Sequence, residues 1–431
     1  MATQITKLDN GVTVVTHPFN GARTTVVKWS VVGGSQIELC HEHGVGHFLE
    51  HVLVDRDTLY APIDHTGGMV NAYTSNSHIA MHAAVLPEHR KEALRRILQH
   101  GLIAPPFGEE AFVRESGTIR EEITTRFADP DTRLYAAANA SMFGGEPLGH
   151  HILGTHNDID AHSVDKLRAY FARVCCAPGL VVYGTGRISH RAFVHQVEPL
   201  VGNISTDAAP IVAPSHFRPG EKASIDFNER TSPANRPVHV LVRFHAVSLL
   251  SPEYPAYRVL ALMMSGGMES PLYQAMRSEN GLLYRLGSYA ASWQNDGMLD
   301  VNFCTSQPKT ERALTVLANA LASIPERMTE ERFRWAQRRI AFYDLHQQEG
   351  MEDWLGRAPN ELLLYDRIRE RSELRQIMDA VTLKDVRDAA FRMVAEPPFV
   401  AALGPVEGVA LRAPFDAALG RYYNRPAQLV P

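Results

Sequence analysis

Two histidines and a glutamate lie close together near the start of this sequence. His47, Glu50 and His51 form an H-x-x-E-H pattern, and the residues around them are apolar enough for a buried helix. Residues four positions apart lie on one face of a helix, so His47 and His51 can offer two imidazole nitrogens to one ion. Glu50 lies at the edge of that face, where its carboxylate can reach a water beside the ion. The pattern predicts a zinc site with Glu50 as the general base.

The order of these residues differs from the usual zinc-peptidase order, H-E-x-x-H. His41-Glu42 is followed three residues later by Val45, which excludes that order here. A second interpretation is open at this point, because four histidines within eleven residues (His41, His43, His47 and His51) would also suit a polar helix end. The choice depends on partners elsewhere in the chain.

A catalytic zinc ion usually has three protein ligands, so a third must come from another element. Glu115 and Glu122 lie on a helix predicted for 109–127 and are seven residues apart, which places them on one face. We assign Glu122 as the direct ligand and Glu115 as a nearby carboxylate that orients a ligand or a water. The alternative is a solvated helix whose charges face water.

Composition limits the class of protein. The chain has 431 residues, of which 45% are hydrophobic, so two or three domains with sizeable cores are expected. The net charge is −5 and Lys and Arg form no dense run, which argues against nucleic acid or a membrane surface as the main partner. The N-terminus resembles no targeting signal, and no apolar run approaches the ~20 residues that span a bilayer. Four scattered cysteines indicate reduced thiols, with Cys40 expected to be buried, and a cytoplasmic location.

The two halves of the chain repeat one pattern. Predicted helices begin at Ser163 and Thr382, strands end at Gly184 and Gly404, and each pair is separated by about 220 residues. We therefore predict an α+β fold with two homologous α/β sandwich domains, each a mostly antiparallel sheet with helices packed on one face. The predicted boundaries are 1–205 for the zinc-binding catalytic domain, 206–222 for a proline-rich linker and 223–431 for the C-terminal domain.

Several separated motifs resemble the pitrilysin, or inverzincin, metallopeptidases, and among them the short bacterial members similar to the mitochondrial processing peptidase. The motifs are HFLEH at His47–His51, the Glu115–Glu122 spacing, GGMVNAYT at Gly67–Thr74, EPLGHHILGT at Glu146–Thr155 and FVAALGP at Phe399–Pro405. The order of the motifs matches over essentially the whole chain. Departures from the family pattern occur at Gly46, at 54–57 and at Ser77, and they leave the predicted chemistry intact.

The resemblance implies a zinc-dependent endopeptidase that binds one Zn²⁺ per chain and hydrolyses short or unfolded peptides. It implies His47, His51 and Glu122 as metal ligands and Glu50 as the base. Arg277 and Tyr284, seven residues apart in the second half, would hold the substrate carbonyl next to the metal. An extended peptide substrate would add to the strand that carries the substrate-binding residues Asn71, Ala72, Tyr73 and Thr74.

The resemblance also implies an assembly. In heterodimeric relatives one subunit keeps the zinc motif and the other keeps the Arg-Tyr pair, whereas this chain has both. A homodimer with a closed chamber is the simplest arrangement, and a heterodimer with a related chain is the alternative. Two other roles stay open: a non-catalytic structural or partner-stabilising subunit of the same fold, and an enzyme that matures a peptide precursor.

Overall fold

The computed structural model describes most of the chain. The described residues are 2–103, 105, 107–212, 215, 224–228, 237–347 and 351–423, with the backbone alone for 224–228, Tyr284, Gln347 and Glu352. Residues 213, 214 and 216–222 of the predicted linker lie outside this set.

Strands and helices alternate along both halves of the chain. The strands are β1 Gln4–Lys7, β2 Thr13–Pro18, β3 Thr25–Val32, β4 Met69–Thr74, β5 His78–Val85, β6 Leu180–Gly186, β7 Ser224–Asn228, β8 Pro237–Ala246, β9 Leu283–Ser292, β10 Gly297–Ser306 and β11 Phe399–Gly404. The helices are α1 Val45–Leu53, α2 Ala61–Asp64, α3 Arg90–Leu98, α4 Glu109–Ala128, α5 Pro130–Phe143, α6 His156–Asp160, α7 Val164–Val174, α8 His190–Val201, α9 Tyr254–Ser265, α10 Pro271–Tyr273, α11 Thr310–Arg327, α12 Glu330–Gln347, α13 Met351–Tyr365, α14 Arg371–Asp379, α15 Leu383–Ala395 and α16 Ala413–Leu419.

The chain divides into two compact units that exchange segments. The first unit comprises Met1–Arg126, His150–Pro214 and Gln347–Ile368, and the second comprises Phe127–Gly149, Ser215–His346 and Arg369–Pro431. Helix α5 therefore belongs to the second unit and helix α13 to the first. The contiguous division predicted from the sequence does not include this exchange.

The first sheet has six strands and the second has five, and without β1 the two strand orders match. The first unit has the order β1-β2-β6-β3-β5-β4 and the second β7-β11-β8-β10-β9. In each sheet one neighbouring pair is parallel, β2 with β6 and β7 with β11, and the other pairs are antiparallel. The predicted α+β class with two mostly antiparallel sheets is confirmed, and the matching order is the structural counterpart of the sequence repeat.

Helices cover both faces of the first sheet. Trp29 and Lys28 are neighbours on β3, so their side chains point to opposite faces. The Trp29 indole donates to the Ile97 carbonyl of α3 at 2.9 Å, and the Lys28 ammonium donates to the Leu355 carbonyl of α13 at 2.6 Å. Helices of the first half thus pack on one face of the sheet, as predicted. Helix α13 packs on the other face, which the prediction did not include.

The second sheet follows the same rule. On β8, Val240 and Val242 belong to the main core with α9, α11 and α15, whereas Leu241 packs on the opposite face with Leu134 and Ala138 of α5. The exchanged helix of each unit therefore covers the face that the other helices leave open. Within the described part of the chain, no helix is long and apolar enough to cross a bilayer.

Local sequence signals at the helix starts match the structure, but one burial prediction is wrong. Ser163 caps α7 through the Lys166 N–H, and Thr382 forms a capping box with Asp385 at the start of α15. Cys40, expected to be buried as a small apolar residue, is exposed in the segment that leads into α1. The apolar residues of the helix itself supply the buried surface there.

Candidate metal centre

A buried carboxylate holds the start of helix α1. The Glu38 carboxylate accepts hydrogen bonds from the backbone N–H groups of Gly44 and Gly46, with N···O distances of 3.0 Å and 2.9 Å. These bonds satisfy donors that the first helical turn leaves unpaired. Gly44 has a φ of 83°, a left-handed conformation that favours glycine. A Cβ at Gly46 would lie 2.9 Å from the Tyr170 hydroxyl, so the close packing of α7 explains glycine at this position.

The three predicted metal ligands converge. Nitrogen atoms of His47 and His51 and an oxygen of Glu122 lie within 4.8 Å of one another. The Nε2 atoms of His47 and His51 are 3.5 Å and 3.3 Å from Oε2 of Glu122. Helix α1 thus supplies the two imidazoles, and α4 supplies the carboxylate.

These separations fit a shared zinc ion. Donor atoms at the usual zinc distance of about 2.0 Å are separated by about 3.3 Å in a tetrahedron. A direct hydrogen bond between imidazole and carboxylate would be shorter, about 2.8 Å. The measured 3.5 Å and 3.3 Å match the first value better, and a set of two imidazoles and one carboxylate is typical of a catalytic zinc site.

The protonation of His47 suits metal binding. The pKa of His47 is lowered to about 3, mainly by burial and in smaller part by the neighbouring rings of His51 and His151 and the charge of Arg126. His47 is therefore neutral at physiological pH, so its contact with Glu122 is not an ion pair. A neutral imidazole has the free lone pair that a metal ligand needs.

Glu50 lies on α1 beside the predicted ligands and is hydrogen-bonded to strand β4. The Thr74 hydroxyl donates to Oε2 of Glu50 at 2.7 Å. Burial raises the pKa of Glu50, while the hydrogen bonds from Thr74 oppose that shift. A carboxyl group with a raised pKa next to a metal site is suited to accept and return a proton.

Glu115 lies where a carboxylate would orient a ligand. Its Oε2 is 3.5 Å from Nδ1 of His51, the nitrogen that does not face Glu122. Ligating histidines commonly direct their second nitrogen to a carboxylate or carbonyl. Nδ1 of His47, in contrast, is buried with no hydrogen-bond partner among the described residues.

The four predicted substrate-binding residues form the end of an edge strand. Strand β4 pairs with β5 and is the last strand of its sheet. Asn71 is exposed and Ala72 is buried, while Tyr73 and Thr74 are half-buried. Helix α1 packs against this strand, so the edge and Glu50 belong to one local arrangement.

Arg277 and Tyr284 lie in the second unit. Arg277 is exposed, stacks on Tyr273 with 5.1 Å between its guanidinium carbon and the ring centroid, and donates to the Tyr273 hydroxyl. The backbone of Tyr284 is part of β9, and its side chain lies outside the described atoms. The role of this pair at the metal stays a prediction.

Two functional contacts were not predicted from the sequence. They are the hydrogen bond from Thr74 to Glu50 and the support of α1 by Glu38. Glu38 precedes the first helical residue by seven positions, which is not the spacing of a capping box. Thr74 lies 24 residues after Glu50, on another element, so no local pattern links them.

Comparison with protein families identifies the family of this chain. The family described as insulinase, peptidase family M16, matches residues 13–156, and the domain described as the peptidase M16 inactive domain matches residues 162–340. The two matches together cover most of the chain. The chain belongs to peptidase family M16, the pitrilysin family that its motifs resemble.

Individual relatives agree with this assignment. A Rickettsia bellii protein named as an uncharacterized zinc protease is 24% identical, over 93% of this chain and 97% of the relative. The mitochondrial-processing peptidase subunit beta of Dictyostelium discoideum is 24% identical, over 94% of this chain and 89% of the relative. The crystal structure of a Helicobacter pylori protease has the same fold, with a TM-score of 0.83 at 14% identity, over 94% of this chain and 99% of that chain.

Proposed function

We propose that this protein is a zinc-dependent endopeptidase that hydrolyses short or unfolded peptides. The observation that carries the proposal is the convergence of His47, His51 and Glu122, with Oε2 of Glu122 3.5 Å and 3.3 Å from the two Nε2 atoms and Glu50 on the same helix as the histidines. The zinc proteases among its relatives support the same chemistry. Each chain would bind one Zn²⁺.

The residues of the site would have separate roles in the reaction. His47, His51 and Glu122 hold the metal, and Glu115 orients His51. Zinc, when bound, supplies Lewis acidity that makes water more acidic and polarises a carbonyl. Glu50 accepts a proton from the attacking water and delivers it to the leaving amine.

The substrate would be bound by the backbone of strand β4 and by side chains of the second unit. An extended peptide that pairs with the edge strand from Asn71 to Thr74 forms main-chain hydrogen bonds, which select an unfolded segment more than a particular sequence. Arg277 and Tyr284 would donate to the oxyanion that develops on the scissile carbonyl. We further propose a cytoplasmic enzyme that forms a closed homodimeric chamber, with a heterodimer of related chains as the alternative.

The Glu50→Gln variant tests the base. Gln keeps the shape of the side chain but cannot take a proton, so we expect the variant to keep its zinc and lose peptide hydrolysis by at least about a hundredfold. The measurements are zinc content by mass spectrometry and turnover of a mixed peptide library. Glu121→Gln, an exposed change on α4, is the matched control and keeps both properties. A Glu50→Gln variant that hydrolyses peptides at the parent rate removes Glu50 from the mechanism.

A non-catalytic subunit is the second candidate, favoured by two observations. The match to residues 162–340 is to a domain described as inactive, and a chain of Complex III2 from Candida albicans has the same fold, with a TM-score of 0.83. A purified protein that binds no zinc and hydrolyses no peptide would favour this candidate. Chelator-sensitive hydrolysis that zinc restores would favour the enzyme.

A further inference from the structure

The Thr74 side chain connects the edge strand to the helix that carries the base. Its hydroxyl oxygen is 2.7 Å from Oε2 of Glu50 and 3.4 Å from the carbonyl oxygen of Gly46. A hydroxyl has one hydrogen to donate, and 2.7 Å is the usual length for donation to a carboxylate. The hydrogen is therefore committed to Glu50.

This bond restrains the carboxylate of Glu50. Glutamate has three rotatable side-chain bonds, and proton transfer requires its carboxylate to lie within hydrogen-bond reach of the water. No ion pair to Glu50 is found among the described residues, so the hydroxyl is a neutral partner that fixes position without adding a positive charge.

The strand end that carries Thr74 is itself held from the other face of the sheet. The side chains of Tyr73 and Thr74 point to opposite faces of the sheet. The Tyr73 hydroxyl oxygen accepts a hydrogen bond from the buried Lys28 ammonium, with 2.7 Å between the oxygen and Nζ. The same ammonium donates to the Leu355 carbonyl of α13 at 2.6 Å. Thr74 is therefore attached to a fixed strand and is not on a loose loop.

We propose that Thr74 is a positioning residue for the general base, acting through the hydrogen bond from its hydroxyl to Glu50. The inference rests on the proposed function, because it assigns Thr74 a role in that reaction. Strand β4, which would bind the peptide, would then also position the general base. The same four-residue segment would bind the substrate backbone through its edge and set the carboxylate through the side chain at its end.

The test compares two substitutions that separate the hydroxyl from the shape. Thr74→Val keeps the branched shape without the hydroxyl, and Thr74→Ser keeps the hydroxyl. We expect Thr74→Val to lower kcat roughly tenfold to a hundredfold, the usual effect of removing a partner that orients a functional group, with little change in KM or zinc content. Thr74→Ser should recover most of that loss.

Two kinetic results would overturn the inference. One is a Thr74→Val variant with the parent kcat. The other is an equal loss of kcat in Thr74→Val and Thr74→Ser, because the hydroxyl would then have no part in the effect. A rise in KM alone would likewise assign Thr74 to substrate binding and not to the base.

Crystal structures of the parent and of Thr74→Val give a readout that does not depend on activity. We expect the hydroxyl to contact Glu50 in the parent and the carboxylate to move or lose order in the variant. A parent in which the hydroxyl turns away, or a variant in which the carboxylate stays in place, overturns the inference. Failure of the zinc-loaded parent to hydrolyse any peptide would instead overturn the proposed function, while the position of the carboxylate would still be measured.

Discussion

Five strands of each unit have matching order, but the helix that follows β3 in the first unit differs from the one that follows β8 in the second. In the first unit, α1 follows β3 and presents His47 and His51 to Glu122. In the second, α9 follows β8 and fills the corresponding place with apolar residues, among them Leu260 and Met264, which are fully buried. The sheet order therefore does not determine chemistry, which depends on a few side chains on one or two helices.

The units also differ in how they bury a positive charge beneath the exchanged helix. In the first unit the Lys28 ammonium donates to a phenol and a carbonyl, both neutral. In the second, the Arg243 guanidinium donates to both oxygens of Asp300, at 2.7 Å and 2.9 Å, and to Asn139 of α5 at 2.7 Å. Among the described residues, the buried Lys28 thus has no carboxylate in contact, whereas the buried Arg243 is paired with Asp300.

The largest expected effect tests whether the first unit alone holds the metal. His51→Gln removes one of the three proposed ligands, so we expect zinc to fall from the proposed one per chain to almost none. Peptide hydrolysis should fall by at least about a thousandfold, because the metal supplies several kcal/mol of charge stabilisation. Zinc content and turnover are measured on the same preparation.

The control for this change lies in the second unit. His245 has a carboxylate partner, Asp296, at 2.8 Å, and His245→Gln should leave zinc content at the parent value. Loss of zinc in the control, or its retention in His51→Gln, would show that the units do not differ in metal binding as described.

The next effect concerns stability in the second unit. Asp300→Asn leaves the buried Arg243 guanidinium without a counter-charge, and we expect the free energy of unfolding to fall by about 3–5 kcal/mol. The exposed pair of Arg375 and Asp379 provides the matched control, since Asp379→Asn should cost less than about 1 kcal/mol. Urea denaturation of the full-length variants measures both.

A double variant sharpens this prediction. Replacing Arg243 with Met and Asp300 with Leu removes both charges, and most of the lost stability should return, because the penalty comes from an unpaired charge and not from a missing bond. If Asp300→Asn lowered the free energy of unfolding no more than Asp379→Asn, the buried ion pair would contribute no more to stability than the exposed one.

The last effect is a pH dependence specific to the first unit, which is at most about 1.4 kcal/mol for each pH unit. Burial lowers the pKa of Lys28 to about 7, whereas an unfolded lysine titrates near pH ~10.4. Between these values the unfolded chain binds one more proton, so the contribution of Lys28 to stability rises with pH, by up to about 1.4 kcal/mol per pH unit. Below pH 7 both states are protonated and the contribution is constant.

Lys28→Met should remove this rise. The measurement is the difference in unfolding free energy between the parent and the variant from pH 6 to pH 9.5, away from the acid range in which carboxylates titrate. A difference that does not change with pH would contradict the contrast with Arg243, whose guanidinium stays charged throughout.

The sequence by itself determined the local features of this protein. The four-residue spacing of His47 and His51 was sufficient to place both rings on one face, because a helix repeats every 3.6 residues wherever it forms. The capping box at Thr382 and the repeat of helix and strand in both halves were determined in the same way, by patterns only a few residues long. These features predicted the fold class and the type of site.

Only the tertiary structure decided how distant groups meet. The sequence placed Glu115 and Glu122 on one face, and packing of α4 against α1 decided that Glu122 faces both Nε2 atoms while Glu115 faces Nδ1 of His51. The contact between Thr74 and Glu50 and the exchange of α5 with α13 likewise depend on how whole elements pack. No short sequence period records such contacts, because they join residues whose separation along the chain is set by everything folded between them.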